Sequence, residues 1–104
     1  MSNVDIERNQ KAAARWRILA TIHIGGPCAV NESVIQLALE DSAMRMSVAA
    51  LRKELEYLKK CELVDLINGR DDPVWAASLT AKGTDVVEYT VPAPAGVGRP
   101  AKWY

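Results

Sequence analysis

Residues 44–80 constrain this chain more than any other stretch. Ser47, a good helix N-cap, precedes Val48, Leu51, Leu55 and Leu58, which recur at three, four and three and so lay one apolar stripe along a helix. Two short apolar runs follow, residues 63–67 and 74–79, separated by the polar tip Asn68-Gly69-Arg70-Asp71-Asp72 and by Pro73. Runs of that length around an Asn-Gly turn signal predict a β-hairpin, and Pro73 keeps the tip out of the ladder. Thr80 then caps a further helix reaching about residue 89, with Val86 and Val87 facing inward. Gly83 is an unfavourable residue for the first turn of that helix.

Two helices precede this unit. Over residues 5–24, Ala12, Trp16, Leu19 and Ile22 form an apolar stripe, while Arg8, Lys11 and Arg15 share another face. Gly25-Gly26-Pro27 stops that helix, because glycine accepts a left-handed cap and proline cannot continue the ladder. Asn31 caps the next helix, with Glu32 complementing the dipole in its first turn. Val34, Leu37 and Ala38 are its expected inner face, widened by Ile35 and Leu39, and Glu40-Asp41-Ser42 ends it. From residue 91 three prolines and two glycines in fourteen residues exclude helix or inner strand. The expected organisation is a domain over residues 1–90 and an extended tail over residues 91–104.

With 104 residues, 49% of them hydrophobic, the chain suffices for one small core. Thirteen basic residues balance thirteen acidic ones, so any affinity for phosphates requires segregated charge. Residues 46–62 carry four basic and three acidic groups, residues 1–20 four and two, and the hairpin, residues 63–80, one and three. The segregation is slight. No apolar run is long enough to cross a bilayer, and no secretory signal opens the sequence. Cys28 and Cys61 are far apart and read as small hydrophobes, not as a disulfide framework. A cytoplasmic setting without membrane association is the expectation. One histidine, His23, and two separated cysteines make no zinc site; His23 reads as a core or boundary residue. No carboxylate pair, nucleophile-and-base set or glycine-rich phosphate loop is visible, so neither an enzyme nor a cofactor is expected.

The fold class expected from this order is mainly α with a small β-hairpin: a winged helix-turn-helix of three to four helices, a two-stranded wing and an extended C-terminal tail. The order, with the closing phrase Leu79-Thr80-Ala81-Lys82-Gly83, resembles the winged-helix regulators of the broad MarR and ArsR type. Taken with Asn31-Glu32-Ser33-Val34, Leu55 and Leu58 leading into Leu63-Val64, residues 75–80 and Gly98-Arg99-Pro100, the chain looks like small winged-helix proteins of Mu-like phages and prophages. That resemblance covers about residues 12–104 and implies DNA binding, in transcription regulation or in phage DNA processing. No cysteine pair lies in the third helix, in contrast to the metal-sensing ArsR proteins.

In such an architecture the outward face of the third helix meets the major groove. Ser47, Ala49, Ala50 and Lys53 are then candidates for base edges, with Tyr57 and Lys60 for phosphates. The competing reading is a solvated helix face, since Glu54 and Glu56 flank it. Arg70 at the hairpin tip is a candidate wing contact, opposed by Asp71 and Asp72 and by the plain reading of a polar turn. Arg99, in Gly98-Arg99-Pro100, is a candidate minor-groove hook with Lys102 near a phosphate. Against the hook stands a tail whose Trp103 and Tyr104 pack on the domain or across a dimer. Trp16 is the candidate anchor of a helix-mediated homodimer. The alternative function is a protein-interaction module, an adaptor in phage assembly or packaging that makes no direct contact with DNA.

Overall fold

The computed structural model describes residues 3–102, with side chains from Asp5 onward; Trp103 and Tyr104, the expected tail anchors, lie outside the described residues. The order is α1 (Asn3–Ile24), β1 (Val30–Asn31), α2 (Glu32–Asp41), α3 (Val48–Lys60), β2 (Val64–Ile67), β3 (Ala76–Leu79) and α4 (Ala81–Val87). The chain is therefore mostly helical with a small antiparallel sheet. Ile18, Leu19 and Ile22 of α1, Ile35 and Leu39 of α2 and Leu51, Leu55 and Leu58 of α3 are fully buried, and Leu63, Val64, Ala77 and Val86 close the core from the sheet and α4. No helix among the described residues is long and apolar enough to cross a membrane.

The expected N-caps form. The Asn31 side chain accepts from the Ser33 N–H, Ser47 from Ala50 and Thr80 from Gly83, each satisfying a donor that the first turn leaves orphaned. The C-termini close without glycine at three of four helices. Ala43, Glu62 and Tyr89 take φ of 58°, 63° and 63°. The next amides, of Met44, Leu63 and Thr90, reach back to the carbonyls of Leu39, Leu58 and Asp85. These are Schellman closures, and the packing of half-buried Met44 and of buried Leu63 on the core holds left-handed residues that local preference disfavours. At the end of α1, Gly26 fills that role with φ 62°.

Several expectations are corrected. The sheet has three strands, in the order β1-β3-β2; Val30 and Asn31 pair with Ala77 and Ala76, so β3 is central. A two-residue strand is too short to leave a periodic signal. The inner face of α2 is Ile35 and Leu39, while Val34 is 51% and Leu37 62% exposed. Both faces of α2 are apolar, so periodicity cannot choose between them; buried Glu32 does, because its partners lie on α3 and beside β3. Val48 is exposed in place of lining the core. Helix α4 ends at Val87, two residues early, where Glu88 and left-handed Tyr89 close it.

The tail is not a free extension. Gly98 N–H donates to the Ala12 carbonyl at 2.9 Å, and Val97 is only 5% exposed within the core. A Cβ on Gly98 would stand 3.1 Å from the Ala12 carbonyl carbon and the Ala13 nitrogen, so the absence of a side chain lets the segment lie on the α1 backbone. Leu19 and Ile22 of the expected α1 stripe are buried, whereas Ala12 and Trp16 are half-buried on the side the tail approaches.

Candidate nucleic-acid interface

The face of α3 expected to meet DNA divides in two. Ala49, Lys53, Glu56 and Lys60, spaced four, three and four, form an exposed stripe, with exposed Lys59 beside it. Ser47 is exposed at the head of the helix, its oxygen accepting from Ala50 N–H at 3.1 Å. Ala50, Glu54 and Tyr57 turn the other way and are half-buried. The sequence wheel placed Ala50 and Tyr57 together with Lys53 and Lys60; the structure separates them, because α1 and the tail cover that side.

Arg15 is what covers it. Its Nε donates to Glu54 Oε2 at 2.6 Å, with both side chains at or below 15% exposure. Its Nη1 donates to the Gly96 carbonyl at 3.1 Å, and its guanidinium stacks on the Tyr57 ring at 3.8 Å. A Cβ on Gly96 would collide with the Tyr57 hydroxyl, so a larger residue there would require the Tyr57 and Arg15 side chains to shift. The neighbouring Cys61 thiol first, and burial second, raise the Tyr57 hydroxyl above its ordinary pKa of 10.0. Arg15 is thereby withdrawn from the Arg8, Lys11 and Arg15 face. Glu54, which flanks the exposed stripe, has its charge compensated in the same contact.

A second clasp fixes α3 against the hairpin. Arg52 donates from Nη2 to Glu32 Oε1 at 2.7 Å and from Nε to Oε2 at 3.0 Å, and Nη2 also reaches the Pro73 carbonyl at 3.2 Å. Glu32 Oε2 accepts in addition from the Trp75 N–H at 3.1 Å, while the Arg52 guanidinium lies 4.8 Å from the Trp75 ring centre. The Arg52 hydrogen bonds hold the Glu32 carboxyl below its ordinary range; burial opposes this and the Trp75 N–H assists it. The fork geometry suits arginine, since two parallel donors meet two carboxylate oxygens. From sequence Glu32 is legible only as a dipole complement, and nothing local marks Arg52 as its partner. A separation of 20 positions leaves no local sign of their pairing.

The remaining candidates are dispersed. Arg70 is exposed at the hairpin tip, where the Asp72 carboxylate accepts from the Gly69 N–H at 2.9 Å. Arg99 is turned inward: its Nη1 donates to the Val86 and Val91 carbonyls, both at 2.8 Å, and it stacks 4.3 Å from the Tyr89 ring centre. It caps the C-terminal end of α4, where a cation complements the helix dipole, and in this arrangement is not presented as a hook. Trp16 packs edge-on against Tyr89, centroids 6.0 Å apart, which places the expected dimer anchor in an intramolecular contact. His23 is a half-buried boundary residue, its Nε2 3.0 Å from Glu88 Oε2. No group of three His, Cys, Asp or Glu among the described residues is arranged to hold a metal. Comparison with protein-family models, curated proteins and solved structures found no match.

Proposed function

We propose that the chain is a winged helix-turn-helix protein that binds double-stranded DNA through the exposed stripe of α3, with α2 and α3 as the helix-turn-helix and β2–β3 as the wing. The supporting observation is the pairing of Glu54 with Arg15. With that carboxylate withdrawn, the outward side of α3 presents Lys53, Lys59 and Lys60 against Glu56 alone. Ala49 and Ser47 at its N-terminal end are small enough for close approach to base edges. On this reading α3 reads the major groove and Lys53 and Lys60 meet phosphates. The Glu32–Arg52 clasp sets the hairpin at a fixed angle to that helix. Arg70 is the single basic group of the wing, which is therefore a weak contact. The resemblance to proteins of Mu-like phages and prophages suggests a role in transcription regulation or phage DNA processing.

The test is gel retardation of a genomic fragment library at low salt. Binding is expected to weaken steeply with salt, and Lys53→Glu is expected to abolish it. No retarded fragment, or retardation indifferent to Lys53→Glu, overturns the proposal. A second reading, an adaptor that binds protein, is favoured by exposed Val34 and Leu37 on α2 and by the acidic hairpin. It predicts a salt-insensitive partner lost on Leu37→Asp and retained on Lys53→Glu.

A further inference from the structure

Six consecutive residues of α1, from Ile6 to Lys11, are exposed, Ile6 by 44%. A helix packed on a protein body buries at least one residue per turn, and nearly two turns here bury none. Such a stretch gains little from its own hydrogen bonds. Beside it runs an open groove of about 560 Å³ between α1 and the α2–α3 turn. Its floor is Ala13, Ala14, Met44, Met46 and Ala50, and Glu7 and Lys11 stand on its α1 wall. Small alanines admit the backbone of a helix, and methionines adapt to whatever side chain enters.

We propose that this groove receives the projecting part of α1 from a second copy of the chain, in a two-fold antiparallel pairing. Three features identify the occupant. The wall of the groove and the projecting helix are the same element, so one contact satisfies both copies at once, as an isologous interface requires. Ile6 lies on the helical arc between Ala13 and Gln10, both of which line the groove, and this directs an apolar side chain at the other copy's apolar floor. Glu7 and Lys11 are one turn apart on the groove side, and neither has an ion-pair partner among the described residues. Antiparallel alignment sets the Glu7 of each copy against the Lys11 of the other. The surface is distinct from the Trp16 contact expected from sequence, and the proposal is independent of DNA binding.

Analytical ultracentrifugation of the full chain without DNA tests it, with circular dichroism as a check that helix content is kept. The expected result is a concentration-dependent dimer. Ile6→Asp, Glu7→Lys and Lys11→Glu should each raise its dissociation constant at least about tenfold, and the double reversal Glu7→Lys with Lys11→Glu should restore it. A monomer up to roughly 1 mM, the weak end of specific association, overturns the proposal. So does a dimer indifferent to Ile6→Asp, a double reversal no better than the single variants, or an assembly larger than a dimer.

Discussion

Replacing Gly83 with alanine sets two physical rules in opposition. In an exposed helix the change gains about 1 kcal/mol, and on propensity alone Gly83→Ala should stabilise α4. The structure reverses the sign. A Cβ at position 83 would lie 3.0 Å from the Leu63 carbonyl carbon, closer still to its oxygen, and 3.3 Å from Leu79 Cδ2. The helix cannot retreat freely, because its first turn is tied down on the same side. Thr80 N–H donates to the Leu63 carbonyl at 3.1 Å, Gly83 N–H to Thr80 Oγ1 at 3.0 Å and Thr80 Oγ1 to the Glu62 carbonyl at 2.6 Å. Overpacking costs about 1–3 kcal/mol and each loosened hydrogen bond about 1 kcal/mol, which after the propensity gain leaves roughly 2 kcal/mol of destabilisation. For a domain of this size that is a fall in Tm of about 10 °C. Thermal melting followed by circular dichroism measures it, with urea titration to confirm an unchanged m-value. A Tm that rises, or stays within a degree or two, would refute the close approach of α4 to the end of α3 and with it the reason for glycine in Leu79-Thr80-Ala81-Lys82-Gly83.

Glu32→Gln should lower stability at neutral pH by weakening the Arg52 fork. Because the folded carboxyl is held below its ordinary pKa of 4.5, its contribution is complete above that value and is lost as pH falls through the depressed one; melts of the two proteins should therefore converge in acid. Glu62→Gly relieves a left-handed residue at φ 63° and should stabilise by about 0.5–1 kcal/mol after the added unfolded-state entropy, read as a higher urea midpoint. Arg99→Gln removes the charged cap of α4 and should cost on the order of 2 kcal/mol, with limited proteolysis opening the tail before the helices. On the DNA-binding reading, Glu56→Gln removes the last carboxylate from the α3 stripe, and retarded fragments should survive to higher salt.

The elements of this protein were legible in its sequence because they are written in local chemistry. Asn31, Ser47 and Thr80 announce three helix starts by cap geometry alone, and Leu51, Leu55 and Leu58 describe one face without knowledge of what they pack against. The strand runs around Asn68-Gly69 are equally local. The candidate interface was only half legible. Periodicity identified the outward residues Ala49, Lys53 and Lys60, but it could not separate them from Ala50 and Tyr57, which share their arc.

What separates them is contact across the chain. Arg15 on α1 and Gly96 in the tail, 81 residues apart, meet over Tyr57 and Glu54, and no periodic rule reports such a meeting. The same holds for α2, whose two apolar faces are equivalent until buried Glu32 finds Arg52 and Trp75 and sets the helix rotation. Arg99 is the clearest case: a basic residue between glycine and proline describes an accessible hook, and only the Val86 and Val91 carbonyls, in the last turn of α4 and just beyond it, turn it inward. Sequence by itself determined where the capped helices and the two hairpin strands lie and which residues are apolar, since backbone capping and side-chain periodicity act over a few residues; the two-residue β1 left no such signal. Tertiary structure alone decided which charges remain free, because a charge is free or engaged according to partners that the fold brings from tens of residues away.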